Sequence, residues 1–144
     1  HANIVSVFDV GSSYVDGRKY NYIVMEYVDG KTLKDIIDEK QILPIEDIVN
    51  YGVQIASALE CAHKNGIIHR DIKPHNMLID KSNNLKATDF GIARISSSAT
   101  LTYTSTVLGT VHYISPEQAK GKFIDEKRDS PPIWSYYDLI RFNV

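Results

Sequence analysis

Residues 67–91 read Ile67-Ile68-His69-Arg70-Asp71-Ile72-Lys73-Pro74-His75-Asn76-Met77-Leu78-Ile79-Asp80, then a polar turn, then Leu85-Lys86-Ala87-Thr88-Asp89-Phe90-Gly91. Asp71 and Lys73 are two apart, so in an extended segment their side chains share one side. Pro74 fixes its own φ and biases Lys73 toward an extended conformation, which stiffens the loop. Asn76 and Asp89 offer hard oxygen ligands of the kind magnesium takes. Met77-Leu78-Ile79 and Leu85-Lys86-Ala87-Thr88 have strand composition on either side of Lys81-Ser82-Asn83-Asn84, which predicts a hairpin with Asn76 at its start and Asp89 at its exit. Ligands placed at the ends of paired strands are held rigidly, as a metal site requires. A base, a cation and metal ligands on a stiff backbone are what a phosphoryl group needs when it passes through a loose transition state.

Working upstream, the clearest helix is predicted from about Ile45 to Lys64. Pro44 suits its first turn, Glu46 and Asp47 complement the positive end of its dipole, and Asn65-Gly66 provides a left-handed stop. Ile48, Gly52, Ile55, Leu59 and Ala62 recur every three or four residues and give it one apolar face. Before it, Thr32-Leu33-Lys34-Asp35 has the threonine-x-x-acid capping signature, with Leu33, Ile36 and Ile37 at helical spacing, so a short helix begins at Thr32 and ends before Pro44. At the start of the chain, Ile4, Val5, Val7, Phe8 and Val10 form one β-rich run and residues 20–27 a second. Asp16-Gly17 between them supplies turn chemistry, and an antiparallel hairpin is expected.

Downstream, residues 95–106 are rich in serine and threonine and lack periodicity, which reads as a flexible loop. It leads into Gly109-Thr110-Val111-His112-Tyr113-Ile114-Ser115-Pro116-Glu117. No internal repeat is visible.

Composition is ordinary for a globular chain, and 144 residues suffice for one domain and one core. The formal net charge of −2 gives no reason to expect nucleic acid or an anionic membrane as a partner. The single cysteine, Cys61, has no partner for an intramolecular disulfide and reads as a small core residue. No run approaches the roughly 18 apolar residues needed to span a bilayer, and no signal-peptide pattern opens the chain, so a cytoplasmic segment is expected, with any membrane anchor elsewhere in a parent protein. The chain opens on His1, and an upstream portion is expected to be missing.

Taken together, these residues resemble the eukaryotic-type Ser/Thr protein kinases, most closely the bacterial receptor-type kinases that carry PASTA repeats. His69, Arg70, Asp71, Lys73, Pro74 and Asn76 fit the catalytic-loop pattern and Asp89-Phe90-Gly91 the metal-binding triplet. Six specified residues in one octet arise by chance at on the order of 10⁻⁸ per position, so coincidence is no competitor. The stretch 22–33, the run Asp-Phe-Gly-Ile-Ala-Arg and the run 109–119 extend the likeness to about residue 129, and Lys73-Pro74 is similar to the serine/threonine branch.

The resemblance implies a partial kinase-like α+β fold over residues 1–129. Residues 1–28 would form small-lobe strands and the hinge, residues 29–129 the front of the large lobe, and 130–144 a divergent tail. It implies transfer of the ATP γ-phosphate to serine and threonine hydroxyls of proteins, with magnesium, or manganese in its place, as the metal. Asp71 would be the base, Lys73 would neutralise the transferring phosphate, and Thr110 would hydrogen-bond near both. Asn76 and Asp89 would hold the metal. Met25 would be the gatekeeper, a role compatible with core packing; the Glu26 carbonyl and Val28 amide would meet adenine, Asp29 would reach the ribose, and Leu78 would line the nucleotide site. Residues 95–106 become the activation segment, in which Thr102 and Thr104 are autophosphorylated, by pairing of two kinase chains, and Ser115-Pro116-Glu117 anchors the substrate loop. A phosphothreonine brings nearly two negative charges that the Arg70 guanidinium can pair with to order the loop. Replacing both threonines by alanine is expected to lower the activity of the parent kinase; equal activity would refute the switch.

The sequence also departs from that family. It contains no glycine-rich phosphate loop, strand lysine or helix glutamate, so the isolated chain is expected to be nearly inert. A non-catalytic remnant or pseudokinase-like interaction module is the rival reading, and a small-molecule kinase of related fold is weakened by the Ser-Pro-Glu loop. In the tail, Pro131-Pro132 removes amide donors where the family begins a long buried helix. Pro132 is placed at the position of the family's bracing aspartate, so the catalytic loop is expected to lack its support. A frameshift or truncation is the expected cause, which an uninterrupted gene on resequencing would contradict. Tyr136, Leu139, Ile140 and Phe142 have the spacing of a short amphipathic helix.

Overall fold

The computed structural model describes residues 1–90 and Asp129. The expectations for the activation segment, Thr102, Thr104, Thr110, the Ser-Pro-Glu loop and the tail lie outside the described residues.

Strand β1 (Val7–Val15) and strand β2 (Arg18–Met25) form an antiparallel ribbon. Its two-residue turn is Asp16-Gly17, with φ of 50° and 75°; positive φ at both positions gives the turn a twist that matches the strands. The ribbon is longer than its apolar runs suggest, because Gly11-Ser12-Ser13 continues the ladder, with the Tyr22 ring lying against Gly11. Ile4 and Val5 leave the ribbon for a different sheet. Ile4 bridges Ala87 in parallel, and backbone bonds of 2.9 Å run from the Val5 amide to the Ala87 carbonyl and from the Ala87 amide to the Asn3 carbonyl.

A second sheet has the order β3-β4-β5, from β3 (Gly30–Thr32), β4 (Met77–Asp80) and β5 (Leu85–Ala87), all antiparallel. β3 carries no hydrophobic alternation to announce it. It exists because Gly30 lets the backbone close on β4: a Cβ there would sit 1.8 Å from the Ile79 carbonyl oxygen. On its far edge β5 is satisfied by side chains as well as backbone. Gln54 accepts the Leu85 amide at 2.7 Å, and Asn3 donates to the Leu85 carbonyl and to Gln54, both at 2.8 Å.

Helix α1 (Leu33–Lys40) follows β3 directly, with Thr32 as its cap. The Thr32 hydroxyl accepts the Asp35 amide and the Asp35 carboxylate accepts the Thr32 amide, each at 3.1 Å, a reciprocal capping box. The Thr32 hydroxyl also donates to the Asp35 carboxylate at 2.6 Å, and this bond, with the one from the Thr32 amide, holds the Asp35 carboxyl below its usual range. Helix α2 (Ile45–Lys64) has the expected bounds. It ends in a Schellman motif, with Gly66 at φ 69°, its amide on the His63 carbonyl and the Ile67 amide on the Ala62 carbonyl, both at 2.9 Å. Its buried face comprises Ile48, Tyr51, Ile55, Ala58, Leu59 and Ala62, with Tyr51 in place of the anticipated Gly52. The Tyr51 hydroxyl donates to Asn83 at 2.5 Å, which joins α2 to the β4–β5 turn. Burial pushes this phenol up. Leu33, Leu43, Met77, Ile79, Leu85 and Ala87 complete the core against α2, with Ile72 and Phe90 half-buried at its margin.

Candidate active site

The Schellman stop turns the chain off α2 and delivers His69 to the interior, where it is fully buried. The next residue, Arg70, has φ 69°, a left-handed conformation that costs a non-glycine residue about 1 kcal/mol or more unless its surroundings enforce it. Asp129 does so. Its buried carboxylate accepts the His69 amide at 2.6 Å through Oδ2 and the Arg70 amide at 2.5 Å through Oδ1. His63 Nε2, from the last turn of α2, lies 2.9 Å from the same Oδ2. The expectation of an unsupported loop with Pro132 at the bracing position is therefore corrected: the brace is present, three residues earlier.

His69 Nδ1 faces the Asp71 amide at 3.3 Å and Nε2 faces the Thr88 carbonyl at 2.9 Å. An amide can only donate and a carbonyl can only accept, so the ring is the neutral tautomer with its proton on Nε2. Burial pushes its pKa down, which agrees with that state. The Phe90 ring lies against it at 4.4 Å between centroids. His69 thus connects the loop carrying Asp71 to the strand exit carrying Asp89.

Asp71 emerges from this kink half-exposed. Lys73 Nζ lies 2.6 Å from Asp71 Oδ2, and Asn76 Nδ2 donates to both Asp71 Oδ2 and the Asp71 carbonyl at 2.9 Å. The Lys73–Asp71 contact puts the two side chains on one side, as their spacing predicts. A single 3₁₀ turn (Pro74–Asn76) then bends the chain into β4. Because the Asn76 amide nitrogen is committed to Asp71, its Oδ1 remains as the oxygen a metal would take. The Thr88 amide donates to the Asn76 carbonyl at 3.0 Å, so Asn76 and Asp89 belong to adjoining chain segments. Asp89 has φ 62° and is exposed. Among the described residues no three His, Cys, Asp or Glu side chains gather to hold a metal by themselves. The fit is to a cation held by one carboxylate, one amide oxygen and the oxygens of a phosphate ligand, which is how magnesium is usually bound beside nucleotides.

The residues expected to meet the nucleotide lie along the connection from β2 to β3. Met25 is 40 % exposed, so it is no core residue among the described ones. The Glu26 carboxylate pairs with Lys86 at 2.8 Å, Val28 is half-buried, and Asp29 is held by Lys81 at 2.5 Å in an exposed pair. Leu78 stands half-buried on β4, opposite Thr32 and Lys86. Asp129 escaped sequence reasoning as the brace, although one signal was available: it is the carboxylate that directly follows Asp125-Glu126-Lys127-Arg128.

Comparison with known proteins agrees with this geometry. Residues 1–137 match the protein kinase domain family. A probable serine/threonine-protein kinase of Clostridium perfringens is 54 % identical over 127 residues, covering 88 % of this chain and 18 % of its own length. Serine/threonine-protein kinase PrkC of Bacillus subtilis is 52 % identical over 129 residues, 90 % of this chain and 19 % of its own length. Serine/threonine-protein kinase PknB of Mycobacterium tuberculosis is 43 % identical over 131 residues, 90 % and 21 %. The chain spans about a fifth of the length of the relatives it matches. No helix among the described residues is long and apolar enough to cross a membrane. By the extent of the family match and the bacterial serine/threonine kinases that share about half its residues, the chain belongs to the protein kinase family.

Proposed function

We propose that this chain carries the catalytic loop and metal ligands of a serine/threonine protein kinase that moves the γ-phosphoryl group of ATP to protein hydroxyls. The observation that carries the reading is the cluster in which Lys73 and Asn76 both bond Asp71, linked through His69 and Thr88 to the strand exit that carries Asp89. In the reaction an oxygen–phosphorus bond forms from the substrate hydroxyl while the bond to the bridging oxygen of the diphosphate breaks. Asp71 orients that hydroxyl and takes its proton. Lys73 neutralises charge on the transferring group, at the price of loosening its pair with Asp71. Asn76 and Asp89 would hold magnesium, whose chemistry is to neutralise and align the phosphate oxygens. A loose transition state asks for little covalent help, so positioning and charge account for most of the rate.

The test grafts the matched residues of this chain into the Bacillus subtilis relative and follows labelled phosphate from ATP to a generic protein substrate. Phosphoserine and phosphothreonine are expected on hydrolysis of the product. A graft that folds and binds ATP but transfers no label would favour a non-catalytic interaction module.

A further inference from the structure

Glu26 lies immediately after β2, and Lys86 sits in the middle of β5, three residues before Asp89. Their ion pair differs in setting from others on the chain. Lys31–Glu39, Lys64–Glu60 and Lys81–Asp29 are each more than half exposed on both sides, where water and salt weaken them. The Lys86 and Glu26 side chains are 19 % and 27 % exposed, with Nζ 2.8 Å from Oε1. The second carboxylate oxygen of Glu26 accepts the Ser6 amide at 3.2 Å, and the Glu26 amide donates to the Ser6 carbonyl at 2.8 Å. Glu26 is therefore fixed through both side-chain oxygens and its backbone N–H. Alternation along β5 sends Leu85 and Ala87 into the core and Lys86 to the opposite face, where its cross-strand neighbour is Leu78.

We propose that Glu26 and Lys86 are positioning residues that latch the segment after β2 onto β5, setting the separation between the Glu26 and Val28 backbone groups at one end of the site and Asp89 at the other. A nucleotide with its metal would span that separation, so the latch pre-organises both ends for one ligand. Neither side chain is assigned a contact with the nucleotide; each acts through the backbone it holds. The inference rests on the kinase reading above. The Lys86–Glu26 hydrogen bond also holds the Glu26 carboxyl below its usual range, so this carboxylate stays charged through neutral pH.

The test is a charge swap in the 144-residue chain: Glu26→Lys, Lys86→Glu and the double variant, with Glu26→Gln as the milder change if charge reversal unfolds the protein. Amide hydrogen exchange at Ser6 and Glu26 reads the latch, and affinity for magnesium ADP reads its effect on the site. Each single change is expected to speed exchange at both amides and weaken ADP binding by roughly three- to tenfold, with the double variant recovering most of both. Unchanged exchange and affinity in the single variants, or no recovery in the double, would overturn the latch. Exchange that responds to the swap while neither the wild type nor any variant binds magnesium ADP would overturn the nucleotide-positioning role; the kinase reading stands or falls separately, on phosphate transfer by the graft. Normal ADP binding that ignores the swap would overturn the positioning role and leave the kinase reading standing.

Discussion

His69, Arg70 and Asp129 show how a few bonds shape the turn that carries Asp71. Arg70 keeps its left-handed backbone because one carboxylate accepts two successive amides. Asp129→Ala leaves two donors without their acceptor, and each unsatisfied buried group costs about 1–3 kcal/mol, so urea melts should show a loss of several kcal/mol. Asp129→Asn, with one carbonyl oxygen for two donors, should fall between; wild-type stability in the alanine variant would refute the brace. His69 adds a pH dependence. Its folded pKa is depressed by burial, so the folded state takes up its proton less readily than the unfolded chain. The stability it contributes is fully present above about pH 6.5 and declines as pH falls below that value. Melts from pH 7.5 to 5 should show the decline in the wild type and a shallower one in His69→Gln. The letters of the loop were legible in the sequence because they are contiguous. Asp129 was not, since a side chain reaching amides sixty positions away leaves no local period or spacing to read.

At the scale of elements, legibility follows how local the cause is. The bounds of α2 could be read from Pro44, Glu46, Asp47 and Gly66 because each acts on its own turn of backbone. Likewise, the Thr32–Asp35 capping box is complete within four residues. β3 was missed because Gly30-Lys31-Thr32 becomes a strand only through its partner, β4. Ile4 and Val5 were assigned to the wrong sheet for a similar reason: their pairing is with Ala87, at the far end of the described chain. Gly30→Ala should therefore be far worse than helix or strand propensity implies, since the added carbon meets backbone that cannot step aside. A loss of about 3 kcal/mol or more, the upper end of overpacking costs, is expected, against about 1 kcal/mol for Thr32→Ala, which removes a cap but no close approach. Comparable melts for the two variants would contradict the packing argument.

In the whole molecule, the core of α2 with β4 and β5 does not end at structure; it sets the site. β5 is bonded to β4 on one edge and to Asn3, Val5 and Gln54 on the other, so the strand that leads into Asp89 is fixed from both sides. His69 ties that strand to the loop of Asp71, and Asp129 fixes the loop from behind. We propose that this arrangement is a phosphoryl-transfer site with Asp71 as its base. The most direct measurement is the rate of phosphate transfer from ATP to a protein substrate by the graft in the Bacillus subtilis relative, compared between Asp71 and Asp71→Asn at equal ATP binding. A fall of about 10²- to 10⁴-fold is expected, the range that general-base catalysis supplies. Equal rates for the two proteins would contradict it.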